Sequence, residues 1–162
     1  MTAEEVIRAL ELQAHPEGGH YAEVFRSDLR VNSDAHPGTR CASTAIYFLL
    51  KTGDFSALHR VRSDEAWHHY AGDPLELTLI DGDHADRLRL GKELTHGERP
   101  FAMVRRGVWQ AAQPLAGPHG YSLCGCTVAP GFEFEDFALP SRAALLAELP
   151  QHRELVIALT RG

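Results

Sequence analysis

The feature of the sequence that most constrains the fold is a series of short segments rich in strand-forming residues, which extends from about residue 19 to residue 137. About nine such segments can be counted, separated by clusters of Gly, Pro, Asp or Ser. Most of the separating segments are too short to hold a crossover helix, and Asp81-Gly82 is a strong hairpin signal. The sequence therefore predicts an all-β fold of antiparallel strands, best described as a jelly-roll barrel.

Helical patterns occur only near the two ends of the sequence. Thr2 and Glu5 have the spacing of a capping box, which predicts a helix over about residues 3–11. Ser141 is a candidate N-cap for a helical region over about residues 141–160, which Pro150 interrupts. No repeat or linker divides the 162 residues, so one domain is predicted, with its barrel over about residues 19–137.

Composition excludes several classes of function. A hydrophobic content of 44% is sufficient for a core, and the net charge of −6 without a dense Lys/Arg patch argues against nucleic acid as a partner. No apolar run reaches the roughly 20 residues that span a bilayer, and the acidic N-terminus does not resemble a signal peptide. A cytoplasmic protein without a membrane partner is expected. The 3 cysteines include no CxxC pair, so neither disulfides nor a zinc knuckle are predicted.

His59 and Glu65 are the first candidates for chemistry. They lie on consecutive predicted strands that a tight turn at Ser63-Asp64 joins, so their side chains can converge on one face of a hairpin. An imidazole and a carboxylate in this arrangement can bind a divalent transition metal, or can act as general base and general acid. A structural salt bridge at the end of a hairpin would have the same sequence pattern.

The spacing of these residues resembles the first motif of the cupin superfamily, in which two His, a Glu and a Gly follow one another along a hairpin. His59, Glu65 and Gly72 match it, whereas Val61 occupies the position of the second His. A hydrocarbon side chain at that position cannot coordinate a metal.

The segment RRGVWQAA resembles the second cupin motif. Gly107 matches its Gly, and Gln110 stands where the motif has a metal-binding His. Two of the four usual metal ligands are thus replaced, and the amide oxygen of Gln110 would be a weak ligand.

Five longer segments resemble one cupin subfamily, which is best known as a domain of unknown function, and the resemblance covers about residues 12–160. The segments are His15–Gly19 with Tyr21, Trp67-His68, Ala71–Leu75, Gly107–Ala112 and Thr127–Phe137. This resemblance implies a jelly roll, an expected homodimer, and similarity to dTDP-4-dehydrorhamnose epimerases, some polyketide cyclases, and plant auxin-binding and seed-storage cupins. A small polar organic molecule is the expected ligand of the barrel.

One interpretation is a metal-dependent oxygenase or isomerase. Strand alternation from Glu65 places Trp67 and His69 on the same face, so His59, Glu65, His69 and Gln110 would be the ligand set. His68 would then face the other way unless a β-bulge changes the alternation, and the sequence leaves open which of the two adjacent histidines faces the cavity.

The preferred interpretation needs no cofactor and predicts proton transfer of the epimerase, isomerase or cyclase type. In it His59 is the base, Glu65 orients and polarises that imidazole, and Gln110 or Tyr21 donates a hydrogen bond to a developing oxyanion. The pocket would be partly closed by large aromatic side chains, with Tyr47, Trp67, His68 and His69 also predicted to contact the ligand. A third interpretation is a sensor or carrier that binds a ligand without transforming it.

The segment HPEGGHY also has two interpretations. Gly18-Gly19 can simply supply a turn with positive φ, with Glu17 as a loop residue. Alternatively the segment crosses the mouth of the barrel and presents Glu17, Tyr21 or Arg26 to a ligand, and Arg26 would suit a carboxylate or phosphate.

The alternating segment EFEDF supports a further expectation near the end of the barrel. Its phenylalanines are expected to pack inward, while Glu133 and Glu135 remain in water.

Overall fold

The computed structural model describes residues 1–162, and strands dominate it. The strands are β1 (Gln13–Ala14), β2 (His20–Arg26), β3 (Arg30–Val31), β4 (Arg40–Cys41), β5 (Thr44–Lys51), β6 (Ser56–Val61), β7 (Asp64–Gly72), β8 (Leu75–Asp81), β9 (His84–Leu90), β10 (Phe101–Val104), β11 (Trp109–Pro114), β12 (Tyr121–Ala129) and β13 (Phe137–Ala138). All neighbouring strands pair antiparallel.

Two large sheets form a jelly roll. One is six-stranded with the order β1-β2-β5-β12-β7-β10, and the other is five-stranded with the order β13-β6-β11-β8-β9. β3 and β4 form a separate two-stranded hairpin. The largest core cluster joins both sheets, since it includes Phe48 and Trp67 from the first sheet and Leu77 and Ala112 from the second.

The predicted all-β jelly roll is confirmed. The nine segments identified in the sequence correspond to the strands longer than two residues, and β1, β3, β4 and β13, with two residues each, are additional. These short strands could not be predicted from the sequence, because a strand of two residues shows no alternation of polar and apolar side chains.

Three short helices flank the strands: α1 (Ala3–Ala9), α2 (Arg142–Glu148) and α3 (Arg153–Ala158). The Thr2–Glu5 capping box and the Ser141 cap both form. Helices α2 and α3 cover Trp109 and Leu58 of the five-stranded sheet, while α1 covers Leu49 on the outer face of the other sheet. None of these helices has the length and apolar character required to cross a bilayer.

Candidate active site

A cavity of about 140 Å³ lies between the two sheets. Its deeper polar groups are His15, Glu17, His59 and Glu65. Aromatic side chains line much of the remainder, namely Tyr21, Phe48, Phe132, Phe134 and Phe137. The cavity therefore combines a buried polar cluster with an apolar wall, which is the usual make-up of a small-molecule site.

The tautomer of His59 is fixed by the main chain. Its Nδ1 lies 2.7 Å from the carbonyl oxygen of Ala57, and because a carbonyl oxygen only accepts hydrogen bonds, Nδ1 must carry a hydrogen. The lone pair of the neutral imidazole is therefore on Nε2, which lies 3.3 Å from Oε2 of Glu17. Burial lowers the pKa of His59, so the neutral form is favoured.

Glu17 is the acidic partner of this imidazole. Its side chain is 7% exposed, and burial raises its pKa to about 8, against smaller opposing effects of the Ser56 hydroxyl and the positive charge of Arg161. Ser56 Oγ donates a hydrogen bond of 2.8 Å to Glu17 Oε1. At neutral pH Glu17 and His59 thus form a neutral pair with one proton between Oε2 and Nε2.

Glu65 is held by a chain of hydrogen bonds that starts at a tryptophan. Trp67 Nε1 donates to Gln110 Oε1 over 2.9 Å, and Gln110 Nε2 donates to Glu65 Oε2 over 2.6 Å. Since an indole N–H is only a donor, it determines the orientation of the amide and turns the NH₂ group of Gln110 toward Glu65. Burial raises the pKa of Glu65 above its ordinary value, which favours the protonated form of this carboxyl.

His15 occupies the centre of the aromatic wall. Its ring centroid lies 4.6 Å from that of Tyr21 and 5.9 Å from those of Phe48 and Phe137. Its Nδ1 accepts a hydrogen bond from the main-chain N–H of Glu17, and burial lowers its pKa to about 4. His15 is therefore neutral and acts as a polar aromatic wall beside Glu17.

Arg26 lies at the rim of the cavity, and its charge is already balanced. Nε and Nη2 bind the two carboxylate oxygens of Glu23, at 2.9 and 2.8 Å, and Nη1 binds Glu133 at 2.8 Å. Nη2 also donates to the carbonyl oxygen of Phe132. This arrangement differs from the expectation that Arg26 receives a carboxylate or phosphate of the ligand, because side chains of the protein fill that role.

Both residues predicted as catalytic, His59 and Glu65, line the cavity, and so do two of the predicted ligand contacts, Tyr21 and Arg26. Trp67 and Gln110 face the interior but lie behind Glu65, where the indole, only 1% exposed, fills the space between the sheets. Gln110 therefore supports Glu65, since its amide N–H binds that carboxyl and is not directed to the cavity, where the sequence predicted that it would meet an oxyanion.

Tyr47, His68 and His69 also lie outside the cavity. Alternation along β7 is unbroken from Glu65 to His69, because the register shift against β12 comes after His69. His68 and Tyr47 consequently lie on the outer face, on either side of Tyr70. His69 faces inward beyond Trp67, and its Nε2 donates to the carbonyl oxygen of Asp73.

The donor set that the cupin resemblance implies for a metal does not fit this geometry. His69 is separated from the cavity by Trp67, Val61 has no donor, and both polar atoms of Gln110 are engaged. No group of three or more His, Cys, Asp or Glu side chains has an arrangement that could hold a metal ion. His59, Glu65, His69 and Gln110 therefore do not form one coordination site.

The segment from His15 to Gly19 is more than a simple turn, because His15 and Glu17 line the cavity. Gly18 and Gly19 do have positive φ, as a simple turn requires, but a Cβ on Gly18 would collide with the main-chain oxygen of Phe55. This close approach brings Glu17 against β6 and its His59. The resemblance of HPEGG to a subfamily motif was the only sequence signal for this contact.

The segment of residues 132–137, here called the aromatic segment, closes one side of the cavity. It contributes three phenylalanines and Glu133 to the lining. Phe134 is nevertheless 52% exposed, and Glu133 binds Arg26 at the rim, so the expected division between inward phenylalanines and solvated glutamates is only approximate.

Comparison with known proteins agrees with this architecture. A hypothetical protein from Leishmania major is 36% identical, with a TM-score of 0.94 and 100% of both chains covered. A protein of Shewanella oneidensis, solved by X-ray crystallography, is 39% identical, with a TM-score of 0.89 over 99% of this chain and 98% of that chain. Oxalate decarboxylase from Bacillus subtilis is 15% identical, with a TM-score of 0.56 over 90% of this chain and 36% of that chain, which shows a common fold alone.

No curated protein matches the chain. Residues 4–140 match the sequence family described as Cupin superfamily (DUF985). With the jelly roll and two full-length relatives above 30% identity, the family is established. The chain belongs to the DUF985 family of the cupin superfamily.

Proposed function

We propose that this cupin binds a small organic molecule between its sheets and transfers a proton to and from a carbon atom beside a carbonyl group. The observation that carries the proposal is the pair formed by His59 and Glu17, 3.3 Å apart, with the imidazole tautomer fixed by Ala57. Whichever of the two groups holds the shared proton, the other can accept one. Such a pair can act as acid and base without a metal or organic cofactor.

Glu65 is proposed to stabilise the negative charge that develops on the substrate. Burial favours the protonated form of Glu65, whose O–H can donate a hydrogen bond to the carbonyl oxygen of a substrate as negative charge develops there. The hydrogen bond from Gln110 holds Glu65 in place. In this assignment Glu65 stabilises the enolate, while the carbonyl of Ala57, and not Glu65, orients His59.

The volume of the cavity limits the size of the substrate. An apolar cavity of about 150 Å³ accepts one benzene molecule, whereas drug-sized ligands occupy about 300–1,000 Å³. A cavity of about 140 Å³ therefore suits a compact carbonyl compound better than a nucleotide-linked sugar. Carrier or sensor function without turnover would use the same cavity and is an outcome that the following experiment can reveal.

The proposal is tested by following exchange of the protons beside the carbonyl group of small ketones and aldehydes in D₂O by NMR. The native chain should accelerate exchange, and Glu17→Gln or His59→Asn should each reduce the acceleration by about 10²–10⁴-fold. Asparagine keeps an N–H for the Ala57 carbonyl but has no equivalent of the Nε2 lone pair. Glu154→Gln, on the exposed surface of α3, is the matched control.

If the ketones and aldehydes bind but none of them exchanges its protons faster, the protein is a carrier or sensor and the proposed proton transfer is refuted. Exchange that survives both substitutions would refute the assignment of Glu17 and His59.

We also propose a homodimer, as the family resemblance implies. The outer face of β7 and β10 exposes Tyr70, Phe101 and Met103, which are 46%, 49% and 46% exposed, and β10 is an edge strand. Phe101→Glu combined with Met103→Glu should convert a dimer into a monomer in light scattering, whereas Leu29→Glu, at a 68% exposed leucine elsewhere, should not. A monomeric native chain would refute the proposal.

A further inference from the structure

Acidic side chains outnumber basic side chains around the cavity. Four carboxyl groups line it, those of Glu17, Glu23, Glu65 and Glu133, against the single guanidinium of Arg26. Glu23 and Glu133 bind Arg26 at the rim over 2.8–2.9 Å, so this pairing leaves one negative charge in excess even there. The two deeper carboxyls have no cationic side chain within the cavity. An anionic ligand would therefore meet repulsion at the entrance and find no free cation inside.

The other groups that face Glu17 do not supply the missing positive charge. His15 and His59 are neutral, because burial lowers the pKa of both imidazoles. Arg161 contacts Glu17 through the main-chain oxygen and lies outside the cavity lining. Ser56 is an uncharged donor, and Glu65 and Cys126 add no cation. Burial without a cationic partner therefore favours the protonated forms of Glu17 and Glu65.

Aromatic rings surround the same space. Phe137 lies 5.4 Å from the His59 ring and 5.8 Å from Phe132, while Phe134 lies 5.1 Å from Phe132, each measured between ring centroids. Tyr21 and Phe48 form the opposite part of the wall around His15. The faces of aromatic rings carry partial negative charge and attract cations, and the attraction is largest where water is excluded.

We propose that the natural ligand is a small organic cation, an alkylated ammonium compound of about seven non-hydrogen atoms, whose positive charge lies between the aromatic wall and the carboxyls of Glu17 and Glu65. The inference rests on the proposed function in one respect, since it names the class of substrate for that same site. A substrate that carries both the ammonium group and a carbonyl group would place its charge beside the Glu17–His59 pair. The ligand then provides the counter-charge that the protein lacks.

Matched probes of one shape and three charges test this inference. Choline is the cation, dimethylbutanol is its uncharged analogue with carbon in place of nitrogen, and dimethylbutanoate is an anion of similar shape. Calorimetric titration at pH 7.5 should show choline binding at least about tenfold more tightly than the alcohol, and the anion binding most weakly.

Variants identify the groups responsible for this preference. Glu17→Gln combined with Glu65→Gln should reduce the affinity for choline at least about tenfold and leave the affinity for dimethylbutanol nearly unchanged, since glutamine keeps the shape of a protonated glutamate. Glu154→Gln should bind all three probes as the native chain does. The affinity for choline should rise between pH 6 and pH 8, because a cation favours the ionised carboxyl of Glu17, whose pKa is about 8.

Equal affinity of the native chain for choline and dimethylbutanol would overturn the inference, as would tightest binding of the anion or failure to bind choline. Proton exchange on uncharged ketones without any preference for cations would leave the proposed function intact and remove only this inference. A preference for cations without proton exchange would leave this inference intact and refute the proposed proton transfer.

Discussion

The carboxyl of Glu17 is buried beside two imidazoles, so its protonation couples the candidate site to the stability of the fold. In the unfolded chain its pKa has the ordinary value of 4.5, and in the folded chain it is about 8. Between these values the folded chain keeps a proton that the unfolded chain has released, so the contribution of Glu17 to stability is largest below about pH 4.5 and falls as pH rises toward 8.

The variant Glu17→Gln should lose this part of the pH dependence. One pKa unit corresponds to about 1.4 kcal/mol, so we expect the variant to be more stable than the native chain by at least about 2 kcal/mol at pH 8.5 and nearly equal at pH 5. Urea denaturation at the two pH values measures the difference, with Glu154→Gln as control. Parallel pH profiles of the native chain and Glu17→Gln would show that Glu17 is ionised in the fold.

Individual residues also show how far the sequence could predict the site. The hairpin spacing brought His59 and Glu65 together, and both do line one cavity. The sequence could not pair His59 with Glu17, because that contact depends on a glycine turn approaching Phe55, for which no periodic pattern exists. Alternation also predicted that Trp67 and His69 face inward, but not that the volume of the indole would exclude His69 from the cavity.

At the scale of secondary structure, the aromatic segment is held from two sides. Arg26 on β2 binds the carbonyl oxygen of Phe132 and the carboxylate of Glu133. Arg40 on β4 binds both oxygens of Asp136, Nε at 2.7 Å and Nη2 at 3.0 Å. The small β3–β4 hairpin, which contributes nothing to the cavity lining, thus fixes the segment that closes it.

Arg40→Gln should therefore loosen the aromatic segment. Asp136 is buried, and loss of the bidentate pair leaves its carboxylate without its main partner, so amide hydrogen exchange over residues 134–137 should accelerate at least about tenfold. Arg62→Gln is the control, since Arg62 lies 3.9 Å from the same carboxylate with 57% of its side chain exposed and should have little effect. Equally accelerated amide exchange in both variants would show that Arg40 does not hold the aromatic segment more firmly than Arg62 does.

The elements themselves were well predicted wherever a pattern was long enough to be read. Nine strands and both helical regions follow from alternation, turn residues and caps. The two-residue strands and the course of the aromatic segment follow instead from long-range pairs such as Arg40–Asp136, which have no local signature in the sequence.

At the scale of the whole molecule, the residues after α3 brace the loop that carries Glu17. Arg161 donates from Nη1 to the main-chain oxygen of Glu17 over 2.6 Å and from Nη2 to Phe55 O and Asp54 Oδ1 over 2.6 and 2.7 Å. Its guanidinium also stacks on the Phe55 ring, at 4.2 Å from the centroid. Residues that are far apart in the sequence therefore meet at the wall of the active-site cavity.

The positive charge of Arg161 lowers the pKa of Glu17, although burial has the larger and opposite effect. Arg161→Gln should consequently raise the pKa of Glu17 above about 8, and Arg161→Lys, which keeps the charge, should change it less. NMR titration of the side-chain carboxyl carbons of ¹³C-labelled protein measures the midpoint, with the resonance assigned by its absence in Glu17→Gln. If Arg161 only braced the loop sterically, both variants would shift the midpoint equally, and an unchanged or lower midpoint in Arg161→Gln would show that its charge does not act on Glu17.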